Sequence, residues 1–374
     1  MQIVPLTDKL YPAWDRACRE MDEAWFWHTS SWLEYTLHYR PEMEPQSLSF
    51  MVLNDNQIVG LCPLIIETQQ ESGRKIREFS FGNGPCPAPA VASQHSEKMR
   101  KKILTIICGE MDALAARNNV QRAIFRSSPP APAYRAGSEQ PHPLQRFGFL
   151  DISLATQIVD LSRNEDNLLS DMQPGHRYHV RRSEKLLCTE VFDASNISPE
   201  IFDGYRTLHH RAAGRVTRPL ITFEMMHRWI REGTAILARA SAKEAMGYAL
   251  FTVYKGGAYY SSSCVHPDAG PLPVGHALQW AAMRWMKQHG IYSYEIGIQL
   301  CGLAPHALWS EKEENIAMFK REFGGRTVAF WIGEKFYNGQ YCRSVLKARL
   351  DAYLSRAFSD STLVGEVNNG KKEL

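Results

Sequence analysis

The strongest constraint on this chain is an order of elements that occurs twice. From residue 48, LSFMVLN places Leu48, Phe50 and Val52 at alternate positions, the period of a half-buried strand. Asn54-Asp55-Asn56 is turn chemistry, and QIVGLCPLIIE, ending at Glu67, returns as the second strand of a hairpin. IREFSFG (76–82) is a third strand and NGPCPAPA (83–90) a Gly/Pro-rich loop. Ser93 is placed to cap a long helix in which Ile103, Ile107, Met111 and Leu114 share one face. Asn118-Asn119 ends it, and QRAIFRSS, from Gln121, is a strand again. From residue 234 the order returns. TAILARAS and AMGYALFTVY flank a Lys243-Glu244 turn, Lys255-Gly256-Gly257 turns the chain, and AYYSSSCV follows. HPDAGPLPVG (266–275) is the second Gly/Pro loop. The next helix carries Leu278, Ala281, Ala282, Trp285 and Met286 on one face and stops at Gly290, before IYSYEIGI.

Hairpin, strand, Gly/Pro loop, amphipathic helix and strand thus recur in both halves, which implies two copies of one α+β fold with mostly antiparallel sheets flanked by helices. The stretch 128–143, SPPAPAYRAGSEQPHP, holds five prolines and reads as a surface loop or linker. The expected domains are 1–150 and 151–358, with a polar tail over 359–374. TQIVDL (156–161) is expected as the first strand of the second copy. In the helix before the tail, CRSVLKARLDAYLSRAF, Val345, Leu346, Leu350, Tyr353 and Leu354 share a face expected to pack on the second domain.

Of the 374 residues, 44% are hydrophobic and 22% charged, with 43 Lys+Arg against 40 Asp+Glu. That balance excludes a disordered or collagenous chain and gives no charge argument for a nucleic-acid binder. No apolar run is long enough to span a bilayer, and the N-terminus lacks the pattern of a secretory signal. The eight cysteines are scattered without a CxxC pair, as in thiols of a reducing compartment. A cytoplasmic location follows as the expectation, at the inner face of the membrane if the last helix makes a peripheral contact.

Arg177, Arg181 and Lys185 stand at i, i+4 and i+8, with Arg182 beside them, forming a cationic stripe suited to phosphates; the same run suits a solvated helix face. Ser310 and Glu313 have capping-box spacing, so a helix is expected from about Glu311, with Ile316, Phe319 and Phe323 as its buried stripe and Gly324-Gly325 at its end. Glu295, His266, His276 and His306 are candidate bases. One of Tyr259 and Tyr260 must face a cleft, since neighbours on a strand point opposite ways. A Cys264/His266 thiol relay is the minority reading, a buried strand cysteine the common one. Trp25, Trp27 and Trp32 fit core packing better than a sugar- or lipid-stacking surface. No metal-ligand pattern occurs among the histidines.

The element order is similar to that of GNAT acyltransferases, where the loop after the central strand offers backbone N–H groups to a pyrophosphate. Several strings go further: FWHTSSWLEY (26–35), TQIVDLSRNEDNLLSDM (156–172), RYHVRRSEK (177–185), LQWAAMRWMKQHGIYSYEIG (278–297) and FKREFGG (319–325). In order and spacing they resemble the Fem-type peptidoglycan aminoacyltransferases and the BioF2-like tandem-GNAT acyltransferases. The long helical arm of the staphylococcal members has no counterpart here. The resemblance implies two tandem GNAT-like domains and transfer of an acyl or aminoacyl group to an amine or hydroxyl of a cell-envelope or polysaccharide precursor. Acyl-CoA or aminoacyl-tRNA would be the donor substrate, with no bound cofactor and no metal. It implies Lys320 at the transfer centre, offsetting charge on the tetrahedral oxygen. Glu295 replaces the acidic residue of the family's YDxG string, and Tyr260 completes the catalytic set. Gly270, Gly275 and His276 fall in the donor loop, without its usual arginine or glutamine start. Arg177, Arg181 and Arg182 would hold a phosphate-bearing donor or acceptor, tRNA included. The alternatives are a non-catalytic binding protein that keeps the tandem fold and its cleft, and a nucleic-acid binder using the 177–185 stripe.

Overall fold

A computed structural model describes residues 1–71, 73–135, 141–300 and 304–358. The expected tail over 359–374 and Cys301 lie outside these residues.

The repeated order is real, and it extends further than the sequence reading. In the second copy one seven-stranded sheet runs, edge to edge, through Cys188–Phe192, Ala235–Ser241, Ala245–Tyr254, Gly257–Val265, Ser293–Gln299, Leu154–Asp160 and Arg326–Phe330. The first copy follows the same path through Gln2–Pro5, Phe50–Asn54, Gln57–Cys62, Ile65–Glu71, Arg74–Phe79, Arg122–Arg126, Ile332–Phe336 and Leu150–Asp151. Its sheet is interrupted at Pro63, which lacks a ladder donor and divides one long strand into Gln57–Cys62 and Ile65–Glu71. Two helices precede each hairpin, Tyr11–Glu20 and Ser30–Tyr39 in one copy, Pro199–Ala213 and Leu220–Arg231 in the other. One helix crosses over between the two parallel strands of each, Glu97–Arg117 and Val274–Gln288. The N-cap of Glu97–Arg117 is Ser96, not Ser93.

TQIVDL is, as expected, the first strand of the second copy in chain order. In space Leu154–Asp160 lies inside that sheet, between Ser293–Gln299 and Arg326–Phe330, and Cys188–Phe192 is the edge strand. A buried strand flanked on both sides satisfies its whole ladder, which period alone does not reveal. The second segment does not close on itself. Ile332–Phe336 pairs antiparallel with Arg122–Arg126 and belongs to the first sheet. The chain passes between sheets twice, over Ile152-Ser153 and over Trp331 alone, and the Ile152 N–H donates to the Ile332 carbonyl (2.8 Å) across the crossing. Gly333 is required there, because a Cβ would sit 2.0 Å from the Trp331 ring.

The copies share a third core. Trp25, Phe26, Trp27 and Tyr35 of the first pack with Phe202, Tyr205, Phe223, Trp229 and Tyr248 of the second. The Trp25 indole donates to the Tyr254 carbonyl (3.0 Å). Lys255 donates to the carbonyls of Cys18 (3.1 Å), Met21 (2.5 Å) and Ala24 (3.1 Å), capping the end of the Tyr11–Glu20 helix from the other copy. The tryptophans are therefore core, as expected, and the core they build joins the two halves. The Gly339–Ala357 helix departs from expectation. It buries no residue, leaves Leu346, Leu350 and Leu354 exposed, and ion-pairs through Arg349 to Glu334 of the first sheet. Among the described residues no helix is long and apolar enough to cross a membrane.

His28 anchors the Trp25 segment to the NGPCPAPA loop of the same copy and must be neutral to do so. The Trp25 N–H donates to Nδ1 (3.2 Å), so Nε2 carries the proton and donates to the Ala88 carbonyl (2.8 Å). Burial pulls its pKa from 6.5 to about 4. Burial likewise pulls His142, stacked on Trp331 at 3.8 Å, to about 3. The unfolded chain then binds more protons than the folded one below about pH 6.5, so stability falls as pH drops. Thermal unfolding is expected to be level near neutrality and to lose melting temperature progressively from about pH 6.5 to about pH 4. A melting temperature unchanged across that window would contradict the assignment.

Candidate active site

A parallel pair of strands need not stay together, and in the second copy it does not. Gly257–Val265 pairs with Ser293–Gln299 only over Gly257 to Tyr259 and Ser293 to Glu295. Beyond that register the first strand stays with Ala245–Tyr254 and the second with Leu154–Asp160, so the sheet splits in its middle. Both lips carry a bulge, at Ser261 and at Ile296, where the ladder skips a residue. The first copy diverges at the same place, after Phe79 and Ala123, but there Cys86–Pro87 pairs with Phe125 and Arg126 and fills the gap. The NGPCPAPA loop is therefore a stiff plug. Glu67, fully buried, accepts from the Gly82 (2.7 Å) and Asn83 (2.9 Å) N–H groups and from the Ser80 hydroxyl to hold it.

Lys320 enters the open split from the Glu311–Arg321 helix. That helix starts on the expected capping box, with Ser310 and Glu313 satisfying each other's backbone N–H groups. Phe323 is buried behind it, whereas Ile316, expected in the same stripe, is exposed and Ala317 takes the buried place. Gly297 is at φ +127, and its missing Cβ would lie 2.6 Å from the Lys320 ammonium, so the lysine uses space that any side chain would take. The ammonium lies 5.8 Å from the centre of the Tyr260 ring. That ring stacks on Phe251 at 5.4 Å, and its hydroxyl donates to Ser263 (2.6 Å).

Glu295 is fully buried at the base of the split. It accepts from the Thr156 hydroxyl (2.8 Å) and lies 3.6 Å from a guanidinium nitrogen of Arg126. Arg126 ends the fifth strand of the first copy, and its guanidinium is held between Trp27 (4.3 Å) and Phe330 (4.7 Å). Burial pushes the Glu295 carboxyl up, opposed by Arg126, the Thr156 hydrogen bond and Lys320. Burial pushes the Lys320 ammonium down, opposed by Glu295. Two cations face one carboxylate, and polar atoms remain unspent: Glu295 Oε2, Arg126 Nη2 and Gln299 Oε1 are buried without a hydrogen-bond partner. A buried excess of positive charge suits a centre where negative charge develops.

Lys320, Glu295 and Tyr260 thus come together. The residues expected to hold the donor do not join them. Gly275 lies in the first turn of its helix, where a Cβ would meet Phe319 at 3.1 Å. His276 packs between His176 (4.4 Å) and His179 (4.8 Å) and against Phe319 and Phe323, and burial pulls it to about 3, so it carries no charge for a phosphate. Gly270 closes the turn after Pro267–Ala269 at φ +53, in open surroundings. Arg177, Arg181, Arg182 and Lys185 do share a helix face, lining an open groove of about 690 Å³ with Tyr178 and Leu186. Arg177 also donates to the Ser170 (2.8 Å) and Met172 (2.7 Å) carbonyls, a structural use that the stripe reading omitted. The other face of that helix reaches the split, because His176 Nε2 meets the Phe319 carbonyl at 3.0 Å, next to Lys320.

Of the other candidate bases, His266 is buried and its Nδ1 accepts from the Asp268 N–H (3.1 Å). His306 has a buried Nε2 without a partner. The Cys264 thiol is buried and pushed up to about 12, which removes the thiol relay. Among the described residues no cluster could hold a metal. Arg126 had no signal in the sequence: it sits in the first half, 169 positions from Glu295, and only the strand exchange brings it there.

Removing Arg126 leaves Glu295 buried without its nearest cation. Arg126→Met is expected to destabilise the protein by about 3 kcal/mol, and Glu295→Gln in the same chain to recover part of the loss. A urea-denaturation cycle over the four proteins measures the coupling, and additive effects would mean that the two groups do not interact.

No protein-family model matches the chain, and no curated protein matches it in sequence. Its fold, however, is shared by solved structures. FemX aligns over 92% of this chain and 100% of its own at 14% identity, with a TM-score of 0.63. A tandem GNAT protein from the clavulanic acid biosynthesis pathway aligns over 90% and 98% at 15% identity (TM-score 0.53). L-PGS from Bacillus licheniformis aligns over 85% and 95% at 14% identity (TM-score 0.51). The chain has the Fem-like tandem-GNAT fold.

Proposed function

We propose that the chain is an acyl- or aminoacyltransferase, working at the split of the second sheet on an activated carbonyl and an amine or hydroxyl acceptor. One observation carries the reading: a half-buried lysine ammonium stands in the split of a GNAT-type sheet, beside a carboxylate that a second cation already neutralises. Attack on a carbonyl places negative charge on its oxygen. A preorganised cation in a site closed to water stabilises that charge far more than it would in solution.

In this reading Lys320 faces the developing oxyanion. Glu295 keeps the ammonium protonated against the pull of burial, and the Tyr260 ring forms the floor on which the ammonium rests. Arg126 holds Glu295 in place from the other copy. The donor is acyl-CoA or aminoacyl-tRNA, both of which carry phosphates to the Arg181/Arg182 groove outside the site. A cell-envelope or polysaccharide precursor is the acceptor class that fits the Fem-like fold, with a cytoplasmic location.

Melting-temperature shifts with acetyl-CoA, longer acyl-CoAs and charged tRNA are expected to single out one donor class. With that donor, Lys320→Ala is expected to lower turnover by about a hundredfold while leaving the melting temperature and donor affinity close to wild type. Wild-type turnover in that variant would remove Lys320 from the chemistry. Arg181→Ala with Arg182→Ala is expected to weaken the phosphate-bearing substrate about tenfold or more, measured as Kd by calorimetry. An unchanged Kd would return the stripe to a solvated helix face.

A further inference from the structure

Transfer to an amine or hydroxyl, the reading on which this inference rests, leaves one proton to be placed. Glu295 is poorly suited to take it, since a neutral Glu295 would leave Arg126 and Lys320 buried with no anion between them. Another proton acceptor lies on the opposite lip.

Tyr259 is level with Glu295 at the last paired register. Three residues on, past the Ser261 bulge, Ser262 stands on the same strand where it has parted from its parallel neighbour. The bulge turns Ser262 toward the Pro199–Ala213 helix. Its hydroxyl meets His209 Nε2 at 3.2 Å, and His209 Nδ1 meets the Thr217 hydroxyl at 3.1 Å. The Tyr205 hydroxyl donates to Ser262 Oγ at 3.0 Å. In the tautomer with its proton on Nδ1, Ser262 accepts from Tyr205 and donates to Nε2, and Nδ1–H donates to Thr217. Tyr205 and His209 are one helical turn apart on the same face, and Thr217 arrives from the turn that follows the helix.

The surroundings keep the imidazole neutral. Tyr205 (5.7 Å) and Phe223 (5.8 Å) flank the ring. Burial, then the nearby Arg218 and His210, hold its pKa down at about 4. Ser262 is half-buried, on a strand that borders the split. Packing alone does not call for a hydroxyl-to-imidazole chain that opens on the unpaired edge of a central strand.

We infer that Ser262, His209 and Thr217 form a proton relay on the acceptor side of the split. The acceptor's N–H or O–H proton passes to Ser262 Oγ as the serine proton moves to His209 Nε2. The new C–N or C–O bond forms, the donor's C–S or C–O bond breaks, and the imidazolium proton returns along the same chain to the leaving thiol or hydroxyl. Ser262 touches the substrate, His209 acts through it, and Thr217 holds the tautomer.

A fluorophosphonate probe tests the relay on the full chain, because it carries its own activated phosphorus. Ser262 Oγ would form the P–O bond, fluoride would leave, and the serine proton would pass to His209. Mass spectrometry of tryptic peptides is expected to find the adduct on Ser262 and none in Ser262→Ala. His209→Gln is expected to slow labelling at least about tenfold with little change in melting temperature. Wild-type labelling is expected to hold level down to about pH 5 and to fall below it, a step that His209→Gln lacks. Should His209→Gln fail to fold, Thr217→Val, expected to slow labelling about threefold, takes its place. No adduct at Ser262, or an undiminished rate in these variants, overturns the relay. The probe needs no donor, so a failed adduct with donor binding intact removes the relay and spares the transfer reading. An adduct without any donor binding does the reverse.

Discussion

Everything in this molecule depends on two strand crossings only one and two residues long. Trp331 carries the chain from the second sheet into the first, and Ile152-Ser153 carries it the other way. A one-residue connection between hydrogen-bonded strands leaves the sheets almost no freedom to rotate. The first sheet is completed by Ile332–Phe336, a strand from the far end of the chain, so it cannot satisfy its ladder from the first half alone. Trp331 over Gly333 and the Lys255 cap are devices that hold the same junction.

That junction is also what makes a buried charge cluster possible. Arg126 ends a strand of the first sheet whose partner, Ile332–Phe336, comes from the far end of the chain. Phe330, just before the crossing, supplies one face of its cation-binding slot, and Trp27 supplies the other. The guanidinium is thereby fixed beside Glu295 at little entropic cost on binding, since its rotamer is set by packing. A site assembled from both copies would be lost if either turned by a few degrees.

The two copies illustrate how one framework is put to different uses. Both diverge at the same pair of parallel strands. In the first, Cys86–Pro87 restores the missing ladder, and a buried Glu67 organises the loop that delivers it. In the second, the gap stays open, with a glycine and a lysine at its lip. An unfilled split exposes backbone groups and costs stability. It persists because the bulges and the surrounding helices determine the rest of the sheet.

Local chemistry made much of this legible in the sequence. The alternating hairpins, the Gly/Pro loops, the Ser310–Glu313 capping box and the face of Glu97–Arg117 all follow from interactions within a few residues, and they appear where local propensity places them. The joint presence of Lys320, Glu295 and Tyr260 was also readable, from strings that resemble a family. What sequence could not supply was long-range pairing. TQIVDL looks the same as an edge strand or as a central one, because alternation says which face is buried and nothing about which neighbours fill the ladder. Arg126 and Ser262 are an ordinary strand arginine and serine until long-range strand pairing and one bulge set them near the split. His276 packs among rings from helices far away in the chain, surroundings that no local pattern announces. Periods and caps are written in near neighbours. Partners across a sheet are chosen by the energy of the whole fold, and that is a property of the tertiary structure alone.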